Sequence, residues 1–147
     1  MGGQNYYKAE GGFSRYLYHQ VGEPIVINGI HAKVIEIIGT KNHHESLPYF
    51  SNTSDMYFKI ADNQNYIEKA IVYKDRYAVL EIDWGHKHVN KKGDGKTFPI
   101  GVVHVHELER IGNSVRRKNK DARLLTAADI KKYGEILKIA YPQINFK

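Results

Sequence analysis

The sequence predicts an α+β fold: a single domain spanning residues 1–147, with an antiparallel β-sheet and a C-terminal helix packed on it. Three observations lead there. Apolar residues recur with a period of two, between turn signals, over most of residues 25–107. Only residues 126–142 combine a helical period with start and stop signals. A chain of 147 residues builds one real core but not two comfortable ones, and it contains no internal repeat.

Residues 1–12 are glycine-rich and polar and are expected to be mobile. Phe13–Val21 suits a short helix or an aromatic strand equally. Ile25–Ile38 reads as a hairpin, since Asn28-Gly29 supplies the positive φ angles of a type I′ turn. Residues 39–55, with His43, His44 and Pro48, read as a polar loop. Met56–Ala61 is a strand, and Ile67–Lys74 and Tyr77–Trp84 form a second hairpin about Asp75-Arg76. In the latter strand Ala78, Leu80, Ile82 and Trp84 share one face, while Tyr77, Val79, Glu81 and Asp83 share the other. Continuing that alternation carries His86 and His88 out along the apolar face. Asn90–Thr97 reads as a flexible basic loop and Ile100–Glu107 as the last strand. There Val103 and Val105 alternate with His104 and His106. Residues 109–123 read as a polar, basic connection. Thr126 then caps a helix, with Asp129 completing a capping box, and Ile130, Tyr133, Leu137 and Ala140 form its core-facing stripe. Pro142 ends it.

Composition narrows the function classes. There is no run of 18 apolar residues, so no membrane insertion is expected, and the N-terminus lacks the basic-then-apolar character of a secretory signal. Without cysteine there is no disulfide framework and no thiolate chemistry, which suits a reducing compartment and export alike. A net charge of +6 favours polyanionic partners.

The chemistry concentrates in two His-x-His pairs, His86 with His88 and His104 with His106. On an extended chain a spacing of two puts both rings of a pair on one face. A single histidine at a strand end ordinarily just fills a polar niche, but two such pairs on adjacent strands point to a shared site. Imidazole titrates near neutral pH, which suits proton transfer, and it also ligates metals. One reading is metal-free RNA cleavage. It needs a base for the 2′-hydroxyl, an acid for the leaving oxygen and a cation for the phosphorane, roles that two histidines and a Lys or Arg fill. Lys87, Lys91, Lys92, Lys96 and Arg110 lie close in sequence. Another reading is a divalent metal at the histidine cluster, with Asp83 or Glu107 as carboxylate partner. The JAMM metalloprotease pattern fails, because Arg117 stands where its aspartate ligand belongs; the cupin glutamate position holds Arg110 or Ile111. A third reading is a non-catalytic accessory protein whose basic face docks on a partner. Arg116, Arg117, Lys118 and Lys120 could track a phosphate backbone, and some of the eleven tyrosines could stack bases.

Three segments carry a family resemblance: Ile82-Asp83-Trp84-Gly85-His86-Lys87-His88, Gly101-Val-Val-His104-Val-His106-Glu107, and Leu125-Thr126-Ala-Ala-Asp129-Ile130-Lys-Lys-Tyr133-Gly134. Over roughly residues 66–142 the chain resembles a domain found at the C-termini of phage head-morphogenesis proteins and bacterial polymorphic toxins. Such domains carry an Asp-Ile-Asp-Tyr/Trp strand, a histidine-rich turn and a Pro-His-x-His strand. Here Glu81 replaces the first aspartate and Val103 the proline. The resemblance implies a small toxic nuclease acting in the cytoplasm of a target cell, delivered from a phage particle or a secretion system. The histidine chemistry makes RNA, ahead of DNA, the expected substrate, and an immunity protein is an expected partner. His86, His88, His104 and His106 would form the site, with Asp83 orienting a ring and Lys87, Lys91, Lys92, Arg116, Arg117, Lys118 and Lys120 holding phosphate. The expected chemistry needs no cofactor; a divalent metal is the alternative.

Overall fold

A computed structural model describes residues 6–8, 17–38, 48–51, 53–61, 64–91 and 95–146. Eight strands follow one another across the main sheet: β1 (Tyr6–Lys8), β2 (Leu17–Gln20), β4 (Ile30–Ile38), β5 (Met56–Ile60), β6 (Ile67–Lys74), β7 (Tyr77–Asp83), β10 (His104–Ile111) and β11 (Ser114–Arg117). A ninth, β3 (Ile25–Ile27), pairs with the first half of β4, while β2 pairs with its second half. All pairs are antiparallel except β4 with β5. A separate two-stranded ladder joins β8 (His88–Val89) to β9 (Thr97–Phe98). One helix, α1 (Ala127–Ala140), closes the fold, so the α+β class holds.

The turn chemistry works as expected. Asn28 and Gly29 both take positive φ, and so do Asp75 and Arg76, the dihedral signature of tight hairpins whose twist matches their strands. Thr126 accepts from the Asp129 amide and Asp129 accepts from the Thr126 amide, completing the capping box. Helix residues Tyr133, Ile136 and Leu137 are buried against Met56, Phe58, Ala70, Val72, Ile82, Trp84, Val103 and Val105. Ile130 and Ala140 lie at the margin of that core.

Four expectations change. Tyr6–Lys8 pairs with β2, so this part of the N-terminal stretch belongs to the sheet; the rest of residues 1–12 lies outside the described residues. Within Phe13–Val21, Leu17–Gln20 is a strand, and residues 13–16 lie outside the described residues. The last strand is not Ile100–Glu107: β10 runs on to Ile111, turns at Gly112-Asn113 and returns as β11. The supposed basic connection therefore begins as a hairpin, and Gly-Asn, with Gly112 at positive φ, is the turn signal that reveals it. Finally, the β6–β7 register shifts between Val72 and Tyr73. Leu80 pairs with Val72 and Ala78 with Tyr73, which leaves Val79 as the extra residue of a bulge. Ala78 thereby joins a second apolar cluster with Ile35, Tyr57, Ile71, Tyr73 and Leu108, apart from the one that holds Ile82 and Trp84.

The His43-His44 loop and Lys92 lie outside the described residues. No described helix is long and apolar enough to cross a membrane.

Leu137 is fully buried in the core between helix and sheet. Leu137→Ala should lower the unfolding free energy by about 2–5 kcal/mol, because the helix cannot collapse fully into the space left. Chemical denaturation checks this, and an unchanged midpoint would mean the helix is not docked.

Candidate functional site: a histidine cluster over a buried charge row

β7 and β10 pair with His104 opposite Asp83 and His106 opposite Glu81. On the other side of β7, β6 places Lys69 opposite Asp83 and Ile71 opposite Glu81. Directly opposed residues share a face, so His104, His106, Asp83, Glu81 and Lys69 all lie on the side of the sheet away from α1. Val103 and Val105 face the helix core instead, as the alternation predicts.

The first histidine pair reaches this same side by a route the alternation did not predict. After Trp84 the chain turns sharply at Gly85. The Trp84 and Gly85 amides both donate to the Glu68 carbonyl, and a Cβ on Gly85 would lie 2.5 Å from the Glu68 Cβ. The Asp83 carboxylate accepts from the Gly85 and His86 amides at 3.0 and 3.1 Å. His86 and His88 thus leave the apolar face and swing back over Asp83.

His86 is 59% exposed, with Nδ1 3.3 Å from Asp83 and Nε2 3.5 Å from Glu68. His88, half-buried on β8, has its ring centroid 5.4 Å from His104 and 4.8 Å from His106. His104 and His106 are 6.2 Å apart, and Phe98 stands 5.4 Å from His104. The two pairs therefore converge. Their environments differ: His104 and His106 are only 4% and 3% exposed.

Beneath the rings lies a row of charges. Lys69 reaches Glu81 at 3.5 Å and Asp83 at 3.6 Å. Arg117 donates to Glu81 from both Nε and an Nη, at 3.0 and 2.7 Å. Lys59 is ion-paired with Glu68 at the far end. Burial alone would raise the Glu81 pKa, but Lys69 and Arg117 overcome it and hold the carboxyl below its usual range. Burial pushes His104 down against the pull of Asp83. It pushes His106 down to about 4, aided by the Arg117 charge. Both rings are therefore neutral at pH 7.

Of the expected phosphate-binding residues, Arg116, Arg117, Lys118 and Lys120 come together with Glu109 and Asn119 around a groove of about 400 Å³ beside β11. Arg117 links that groove to the histidines through Glu81. Lys87 and Lys91 are exposed near the first pair. Lys96 lies over Phe98, and Arg110 stacks on Tyr77. Glu107 is half-exposed and approaches Arg123 instead of the rings. Lys69, Glu68 and Phe98 escaped the sequence reading; the first two are adjacent charged residues in a strand whose other members up to Tyr73 are apolar or aromatic, which was their only signal. Among the described residues, no group of three or more His, Asp or Glu side chains is arranged to hold a metal ion.

No family model, curated protein or solved structure matches the chain.

The buried imidazoles tie stability to pH. His106 carries a folded pKa of about 4 against about 6.5 unfolded, so the unfolded state binds more protons between these values. Stability is full above pH 6.5 and falls as pH drops toward 4, by about 3 kcal/mol from this ring alone. Denaturation series at pH 7.5 and pH 4.5 in the presence of chelator check the slope; a midpoint that stays constant or rises on acidification would contradict the buried neutral ring.

Proposed function

We infer that the protein is a small nuclease-like domain that cleaves RNA by proton transfer between imidazoles, without a metal ion. The observation that carries this reading is the convergence of both histidine pairs beside a cationic groove, joined through the Arg117–Glu81 pair. His86 is the solvent-facing group, oriented by Asp83, as a general base or acid must be. His88 is the second. Arg116, Arg117, Lys118 and Lys120 receive the phosphate backbone. In the reaction one imidazole takes the 2′-hydroxyl proton as that oxygen attacks phosphorus. The P–O bond to the 5′ oxygen breaks, and the other imidazole protonates the departing oxygen. RNA fits because its 2′-hydroxyl supplies the nucleophile and no water need be activated. The resemblance to toxin domains points the same way, with cytoplasmic RNA as target and an immunity protein as natural partner.

The burial of His104 and His106 favours a second reading. Two of the four rings cannot meet a substrate unless the chain above them moves, which suits a domain that docks on nucleic acid or protein without cleaving it.

His86→Ala should lower the RNA cleavage rate by about 10²–10⁴-fold with little change in stability, since the ring is mostly exposed. The wild-type rate should trace a bell in pH. Replacing Arg116 and Lys118 by alanine should reduce the salt slope of RNA binding by about one unit for each phosphate no longer neutralised. RNA binding without cleavage at any pH would select the docking reading; salt-independent binding would remove the groove from the interface.

A further inference from the structure

Three buried ring nitrogens in the cluster have no hydrogen-bond partner: Nε2 of His88, Nδ1 of His104 and Nε2 of His106. Buried polar atoms are almost always satisfied, because an unpaired one has given up its hydrogen bonds to water and gained nothing in return. Three in one cluster of touching rings call for a single explanation. We propose that His88, His104 and His106 form a binding site for a divalent transition-metal ion, zinc being the best match.

The spacing fits. Three imidazoles bound to one ion through Zn–N bonds of about 2.0–2.1 Å place their ring centroids about 5 Å apart. The centroids here are 4.8, 5.4 and 6.2 Å apart. Among the described residues no group of three such side chains is arranged to hold an ion as it stands, so binding requires the rings to turn about χ2, a soft torsion in histidine. The ligand set has the right chemistry, since neutral imidazole suits Zn²⁺, Cu²⁺ and Ni²⁺. The sheet fixes two of the three ligands, His104 and His106, two apart on β10, and His88 comes to them from the β8–β9 ladder. No group among the described residues hydrogen-bonds these three nitrogens. Asp83 and Glu81, the nearest carboxylates, are engaged by Lys69, Arg117 and His86. His86 stays outside the set, because both of its nitrogens face carboxylates. Three protein ligands leave a fourth position for water. This site does not rest on the nuclease reading and competes with it for His88, because a ring bound to the ion cannot serve as the second acid or base.

The test uses the full chain without a histidine tag. Zn²⁺ should bind at one equivalent and raise the melting temperature, and Co²⁺ should give the visible absorption of a four-coordinate ion. His88→Ala, in which a half-buried ring is removed from a two-residue strand, should weaken binding about 100-fold or more, since even outer-shell losses cost 10–100-fold. His104→Ala should do the same, and His86→Ala should leave affinity unchanged. No stoichiometric uptake by the wild type would overturn the proposal, as would uptake that His88→Ala leaves intact. The two readings fail separately. Cleavage by a protein that takes up no metal removes this site and keeps the nuclease. Metal uptake without cleavage keeps the site and removes the nuclease. Cleavage abolished by chelation and restored by Zn²⁺ keeps the site and moves the chemistry onto it.

Discussion

The site depends on Lys69. Its ammonium lies between the carboxylates of Glu81 and Asp83 on a buried sheet face, with the Arg117 guanidinium closing the other side of Glu81. Two carboxylates two residues apart on one strand face would repel each other and resist burial. The cations remove both obstacles. Asp83 can then accept from the amides of the Gly85 turn and hold the His86 ring, and Glu81 can sit opposite His106. The arrangement contributes placement more than net stability, because desolvation offsets much of the attraction within a buried ion pair.

Much of the fold was legible because it rests on local rules. Asn28-Gly29 announced its hairpin, Thr126 and Asp129 their capping box, and Tyr133 and Leu137 the buried stripe of the helix, with Ile130 at its margin. The errors arose where tertiary structure overrides local pattern. A bulge at Val79 reverses the facing of Ala78, and no periodicity registers a residue that exists only to be unpaired. The parallel β4–β5 pairing was equally invisible, since strand direction depends on a long connection and not on the strand's own residues.

The site was legible in its parts but not in its assembly. All four histidines, Asp83 and Arg117 stood out in the sequence. That His86 and His88 belong to the face of Asp83 did not, because the alternation along β7 ends at Gly85 and the turn reverses it. The close approach of that glycine to Glu68 is what only a side-chain-free residue allows. Nor did sequence spacing separate the rings by environment: the pair on β10 is buried between neighbouring strands, while His86 stands at the surface. Lys69, on a different strand and far from all of them in sequence, could enter only through strand register.

The β8–β9 ladder lies apart from the main sheet and has two residue pairs. It is fastened by the Phe98 ring, by the ring contacts of His88, and by Asn90, whose side-chain amide exchanges two hydrogen bonds with the Ala122 backbone. A unit with so few ties opens at a fraction of the free energy that unfolds the whole domain. Each opening uncovers the His104 and His106 rings while β10 stays paired with β7. Amide exchange at Asn90, whose N–H donates to the Lys96 carbonyl across the ladder, would therefore report access to the imidazoles, on a scale separate from the exchange of the sheet beneath.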